Sequence, residues 1–429
     1  MWGAQASKAR DSFVFKFTLY LAPLRRALSE LLMLHLRSQY FLAFGTLGAI
    51  VPFQPMLLHE LGMSDWHLGL ILATPGIAAL IAPVMISHIA DRHLSSRTLL
   101  TWGYSISALA LVALYFLTSF WGVITLTLLI NFLYAPAIAL LDVVSLHALR
   151  HNLASPLTER DFPFIRRWGS VGFIAPAGLL FLLTHLLQLH AEVIYLIGAA
   201  ISFGSALLAA RLPPLKPEAA DSPELPTVMA FRALCKAPLG PLTLALFIAS
   251  IGVSMFYFIM PRYLQDLGLS MEVAGLIITL GVMWEIALLS IAPRVMERCG
   301  VRWTTIGGFG FTAIRFLLLA AAPSVAVAAA TQIFHAPLIL VLAVVLPVIF
   351  TRAATPEVRN SLMGLASAIY NGLSRIIGPP LAGVILSVSH GTDLEQLQDA
   401  FFVGAIFCIV GTAILALRFH PVPEQTRVG

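Results

Sequence analysis

Three ionisable residues stand where this sequence is otherwise apolar. Glu285 interrupts the run Ile277–Ile291, Arg315 the run Thr304–Ala322, and His335 the next apolar stretch. Each falls near the middle of a segment long enough to cross a bilayer. An unpaired charge there costs about 3 kcal/mol or more, so these groups must face protein or a water-filled cavity. Desolvation favours the neutral form of a buried carboxyl, and a nearby cation favours its ionised form. Glu285 is therefore the foremost candidate for a proton-coupled carboxylate, loaded or released as solute arrives or as Arg315 rearranges. The alternative is a static Glu285–Arg315 pair that locks two helices, although a buried ion pair rarely stabilises on balance. Arg315 alternatively binds an anionic solute directly, because a guanidinium matches a carboxylate in bidentate geometry. His335 either shuttles a proton, bonds the solute, or makes an interhelical hydrogen bond. Gln332, three residues earlier, shares its helix face, and Trp284 adjoins Glu285 as a further solute contact.

The elements that position these residues follow from composition. The chain has 429 residues, of which 59% are hydrophobic and only 11% charged, against about 25% charged in a soluble domain. Its mean hydropathy is +0.89. Apolar segments of about 20 residues match the length a helix needs to span the hydrocarbon core. Strand-period alternation is absent, which argues against a barrel. The reading is an all-α integral membrane protein with twelve spans near 37–59, 66–89, 97–117, 121–149, 164–186, 191–210, 239–262, 271–293, 303–321, 324–351, 358–388 and 399–419.

Orientation comes from Lys and Arg. With a cytoplasmic N-terminus, all but three of the 26 basic residues fall on the inner side; Arg262 is outside, and Arg315 and Arg375 lie within spans. Both termini are thus expected in the cytoplasm, and the net charge of +5 reflects topology. Residues 1–36 read as a basic extension with leucines at helical spacing, either an interfacial helix or a tail without fixed structure. The Pro-rich polar segment 212–238 reads as a cytoplasmic linker between six-helix bundles 37–211 and 239–419, with 420–429 a cytoplasmic tail.

An internal repeat supports that division. At an offset of 206, Pro55, Leu58, Leu61, Gly62, Ser64, Gly69, Leu70, Ile71 and Arg92 recur as Pro261, Leu264, Leu267, Gly268, Ser270, Gly275, Leu276, Ile277 and Arg298. Parallel six-helix repeats, pseudo-symmetric about the membrane normal, place a solute between the two halves. The trio has no ionisable counterpart at this offset: Ala79, Leu109 and Leu129 stand there.

Asp91-Arg92, followed by His93 and Arg97, ends the second span, and Glu297-Arg298 occupies the matching place in the second half. An acid and a base at a helix end can act as a gate latch that favours one conformation, or simply anchor a loop in water. The first copy resembles the loop motif of the major facilitator superfamily, with Ser87 and Ser95 where that motif usually has glycines. Arg166-Arg167-Trp168-Gly169-Ser170-Val171-Gly172-Phe173, Leu141-Asp142, Gly281-Val282-Met283-Trp284-Glu285-Ile286 and Gln332-Ile333-Phe334-His335 resemble its phenylpropionate-permease-like branch, a relative of the lactose and nucleoside proton symporters. The resemblance covers about residues 38–419. It implies the twelve-helix fold and proton-coupled uptake of a small organic solute. Some positions depart from the branch: Ala343 and Leu338 stand where relatives carry a second His and a Glu, and Gln54 and Met56 replace aromatic character in the first span.

Among the remaining polar residues, Asp142 is either a coupling acid or a structural partner of Arg166 or Arg167. Asn131 is a candidate solute contact. Arg375 either snorkels to the interface or faces inward as a second cation.

These residues favour a secondary transporter that works by alternating access on an organic, preferably aromatic, acid anion and protons. A nucleoside or sugar symporter, a proton-driven exporter, and a membrane sensor on a transporter fold are the alternatives. Phosphate-cradling loops, nucleophile elbows and metal-spaced histidine clusters are absent, so no enzyme, cofactor or metal site is expected. No basic–aromatic pattern points to nucleic acid. Cys235, Cys299 and Cys408 form no CxxC pair, so they suggest neither a disulfide framework nor a metal site. A monomer in a bacterial cytoplasmic membrane is the expected setting.

Overall fold

The computed structural model describes residue 27 and residues 30–92, 95–150, 162–212, 226–236, 239–353 and 359–419. Among these residues the regular structure is helical throughout. In chain order the first half contains α1 (Glu30–Glu60), α2 (Asp65–Arg92), α3 (Ser96–Phe116), α4 (Phe120–Arg150), α5 (Phe162–Leu187) and α6 (Val193–Ala209). The second contains α7 (Leu239–Asp266), α8 (Met271–Ser290), α9 (Ala292–Ala321), α10 (Val325–Phe350), α11 (359–388) and α12 (Asp393–Arg418). Ten of these are long and apolar enough to cross a membrane; α6 is a shorter apolar helix, and α11 is a helical run broken in its middle.

The repeat is visible in backbone geometry. α1 ends at Gly62 with φ +76°, and α7 at Gly268 with φ +88°. Gly62 N–H bonds His59 O at 2.9 Å and Met63 N–H bonds Leu58 O at 3.2 Å; Gly268 bonds Gln265 O at 2.8 Å and Leu269 bonds Leu264 O at 3.1 Å. Both are the paired 6→1 and 5→2 bonds that close a helix through a left-handed residue, a conformation that favours glycine. The two closures are the same 206 residues apart. α3 starts on Ser95, whose hydroxyl accepts from Thr98 N–H, and α12 starts on a capping box of Thr392 and Glu395.

Small residues let the helices meet at backbone distance, which drives association where lipid removes the hydrophobic term. A Cβ on Gly48 would lie 2.1 Å from Phe173 O, and one on Gly172 would lie 2.0 Å from Phe41 O, so α1 and α5 pack backbone to backbone. α2 meets α11 in the same way at Gly69 and Gly76, and α5 packs along α8. The last two contacts join the halves.

Three features differ from the expectation of uninterrupted spans. α10 contains a 3₁₀ turn at Thr331–Phe334 and a π-helical turn at Val341–Val345 around His335 and Pro337; Pro337 has no N–H to give an α ladder. α11 is π-helical over Ala368–Leu373. α9 bends at Gly300, φ +71°, so the segment carrying Glu297 and Arg298 is helical rather than a loop. In addition, Pro226–Cys235 within the proline-rich linker forms a short helix against α7 and α11, with its proline in the first turn, where a missing N–H costs nothing. Linker residues 213–225 and 237–238, most of the N-terminal extension, the tail from 420 onward and the side chains of Asp91 and Arg92 lie outside the described residues; Glu30–Leu36 of the extension opens α1.

Candidate functional site

A cavity of about 390 Å³ lies between the halves, lined from both sides. α1, α4 and α5 contribute Phe44, Gln54, Asn131, Arg166, Ser170 and Phe173; α7, α8, α10 and α11 contribute Phe256, Tyr257, Glu285, Gln332, His335 and Arg375.

Glu285, Arg315 and His335 are brought together, but not with the pairing the sequence suggested. Glu285 Oε2 faces His335 Nε2 at 3.8 Å, and its polar neighbours across the cavity are Arg166 and Ser170 of α5. Arg315 instead donates from Nη2 to Gln332 Oε1 at 2.6 Å and lies 4.0 Å from the centroid of the Phe256 ring. It is 3% exposed and sits behind the wall that Gln332 and Phe256 present to the cavity. A static Glu285–Arg315 pair is therefore not formed. Gly281 allows this arrangement, because a Cβ there would come within 3.2 Å of both Gln332 Oε1 and the His335 side chain.

Arg375 faces the cavity rather than the interface. Its guanidinium lies 5.2 Å from the Tyr257 ring centroid, one residue along α7 from the ring under Arg315. Successive helix positions diverge by about 100°, so Phe256 and Tyr257 address two different cations. Neither cation has a carboxylate within ion-pair distance among the described residues. Guanidinium stays protonated in proteins, and an aromatic face offsets about 2 kcal/mol of a desolvated cation. Within the second half Arg315 and Arg375 thus carry positive charge with no carboxylate at ion-pair distance among the described residues.

Balance is better in the first half. Asp142 accepts from Tyr40 Oη at 2.5 Å and lies 3.6 Å from Arg166 Nε. Asp142 itself is set behind Arg166, outside the cavity lining. Asn131 donates to Thr74 Oγ1 at 3.1 Å and to Thr127 O at 2.9 Å; Gln54 donates to Thr127 Oγ1 at 2.9 Å. Trp284 is not brought to the site. It is 47% exposed, beside the equally open Met283, because the inner face of α8 is taken by Val282 and Glu285. Glu297 and Arg298 are exposed on the bent end of α9, remote from the cavity lining.

Sequence reasoning missed Phe256 and Tyr257 as cation platforms and Ser170 as a neighbour of Glu285. It treated Arg166 only as a partner for Asp142. Within an apolar span an aromatic gives no signal of its own, whereas the spacing Arg166, Gly169, Ser170, Gly172 held one: glycines for packing alternate there with polar residues that face inward.

The end of the bundle holding the two repeated turns is tied across the halves. Arg262 of α7 pairs with Asp65 of α2, Gln265 donates to Glu60 at 2.8 Å, and His185 faces Glu272 at 4.0 Å.

A model of the MFS_1 like family matches residues 33–394. The putative nucleoside transporter YegT of Escherichia coli K12 is 27% identical over 268 residues, 60% of this chain and 61% of that protein. The nucleoside permease NupG of the same strain is 30% identical over 150 residues, 34% of each chain. The probable 3-phenylpropionic acid transporter, also from that strain, is 24% identical over 271 residues, 61% of this chain and 67% of that protein. The chain thus aligns with less than two thirds of the length of either nucleoside relative. A crystal structure of a NupG mutant superposes with a TM-score of 0.81 at 20% identity, covering 91% of this chain and 100% of that one.

Proposed function

This chain belongs to the MFS_1 like family of membrane transporters, and from that premise we propose that it carries a small organic acid anion inward together with protons. It is a multi-pass membrane transporter and not an enzyme. The reading places it in a bacterial cytoplasmic membrane as a monomer, with both termini inside. Bundles 37–211 and 239–419, joined by 212–238, rock about the central cavity and expose it to each side in turn.

The observation that supports the anion is the pair of guanidinium groups on adjacent α7 rings. Arg375 on Tyr257 faces the cavity, and Arg315 on Phe256 lies behind it, both without a carboxylate partner among the described residues. Arg375 contacts the solute, while Arg315 holds Gln332 in place and adds positive potential. A carboxylate resting there completes the missing charge pair. The phenyl rings of Phe44, Phe173 and Phe256 supply an apolar wall for an aromatic body.

Glu285 is the coupling acid. It lines the cavity beside His335, so a proton reaches it while the cavity is open. Arg166, on the opposite half, favours its ionised form when the halves close on it. Asp142 serves to position Arg166. The alternating exposure is set by the cross-half ties at the Arg262 end, taken as the outer face, with Asp91, Arg92, Glu297 and Arg298 acting at the other.

The nucleoside reading is favoured by two of the relatives, and a neutral solute would leave both guanidiniums uncompensated. A thermal-shift screen of purified protein against aromatic acids, nucleosides, sugars and cationic drugs separates them, since a ligand of the folded state raises the melting temperature by mass action. Stabilisation by aromatic acids alone is expected. Stabilisation by nucleosides with no response to any acid overturns the anion reading.

A further inference from the structure

We infer that two of the carboxamides lining the cavity, Asn131 and Gln332, are locked in opposite senses, so that Asn131 of the first half reads a hydrogen-bond donor on the solute and Gln332 of the second half reads an acceptor. The inference rests on the organic-anion reading and narrows its substrate class.

Asn131 lines the cavity on α4. Its Nδ2 donates to Thr127 O at 2.9 Å and to Thr74 Oγ1 at 3.1 Å. A backbone carbonyl is an acceptor only, so the amide cannot be reversed without setting oxygen against oxygen. The Thr74 hydroxyl spends its own hydrogen on Ile71 O at 2.6 Å, which leaves it an acceptor toward Asn131. Both amide hydrogens of Asn131 are therefore committed, and Oδ1 is its one remaining polar function. Among the described residues Oδ1 has no hydrogen-bond partner and is not enclosed in protein. It is an acceptor presented to the cavity.

Gln332 on α10 is held the other way round. Its Oε1 takes a bond from Arg315 Nη2 at 2.6 Å, and a guanidinium has no lone pair to offer. Its Nε2 gives one hydrogen to Ala328 O at 3.2 Å, again an acceptor only. One N–H stays available on a side chain that lines the cavity. Arg375 adds further donors on the same half.

Asn131 and Gln332 thus present opposite polarity to the cavity. An anionic or carbonyl end fits the α10–α11 wall, and a hydroxyl or N–H at the far end fits Asn131. A plain aromatic acid satisfies only the first of these. The structure points to an aromatic acid that carries an O–H or N–H donor on its ring, because an acceptor that closure of the cavity shuts off from water favours the ligand that fills it.

The test uses two probes that differ by one group, 3-phenylpropionate and its ring-hydroxylated analogue, in uptake by proteoliposomes of the full chain. For the wild type we expect the hydroxylated acid to have a KM about five- to tenfold lower. In Asn131→Leu the two KM values should converge, and the amount of inserted protein and its melting temperature report that the variant folds. If that variant fails to insert, Thr74→Val removes one of the two groups that hold Asn131 in place, and should shrink the same ratio. Equal KM values in the wild type, or a preference kept in the variants, overturn the inference while leaving the anion reading intact. Uptake of neither acid overturns both.

Discussion

At the residue scale, chemistry in this protein is announced by polar groups that lipid would not tolerate. Glu285, His335, Gln332 and Asn131 were legible because each interrupts an apolar run, and the structure brings all four to one cavity. Arg315 was equally legible by position, yet its role changed: it holds Gln332 and stacks on Phe256 rather than lining the site. Trp284 was misjudged because α8 is apolar on several faces, so spacing alone did not show which face turns inward. Two substitutions separate these roles. Arg375→Gln should raise the KM for an aromatic acid about tenfold or more, since a charge-assisted contact is lost. Arg315→Lys should also weaken uptake, because an ammonium replaces the planar donor that fixes Gln332. Uptake kinetics alongside quantitation of inserted protein check both; unchanged KM with normal insertion removes the residue from the site.

At the element scale, these residues are positioned mostly by helix irregularity and close packing. Hydropathy located the spans, but it carries no signal for a π-turn. The π-helical segment Ala368–Leu373 adds about one residue to a turn just before Arg375, and so rotates the rest of α11 by about 100°. That is why sequence left Arg375 between the interface and the interior. The close packing was partly legible, because Gly169 and Gly172 stand in one motif with Arg166 and Ser170. Gly172 is the stricter test, since any Cβ there meets Phe41 O at 2.0 Å. Gly172→Leu should lower stability by about 3 kcal/mol through overpacking, read as a reduced melting temperature in detergent. A melting temperature equal to wild type would mean that α1 and α5 do not meet as described.

At the scale of the whole molecule, the repeat built the scaffold and the chemistry broke its symmetry. Equivalent closures at Gly62 and Gly268 recur at the 206-residue offset in backbone form, while among the described residues the buried arginines, Arg262 and Arg315, both lie in the second half. Arg262, expected outside as the exception to the basic-residue asymmetry, is paired with Asp65 across the halves. Asp65→Asn should therefore loosen that end. In the variant, a single cysteine placed at Gln54, in a background with Cys235, Cys299 and Cys408 replaced by serine, should react faster with an impermeant outer reagent. Reactivity equal to that of the Asp65 parent would mean the pair does not hold the closed state.

Joint movement of an organic acid and a proton through Glu285 is tested most directly by solute-driven proton flux in proteoliposomes with an internal pH dye and no imposed gradient. Addition of an aromatic acid should acidify the lumen in the wild type. Glu285→Gln should abolish that signal while still exchanging labelled acid for unlabelled acid. Acidification of equal size in Glu285→Gln, or a proton signal driven by nucleosides and by no acid, would contradict it.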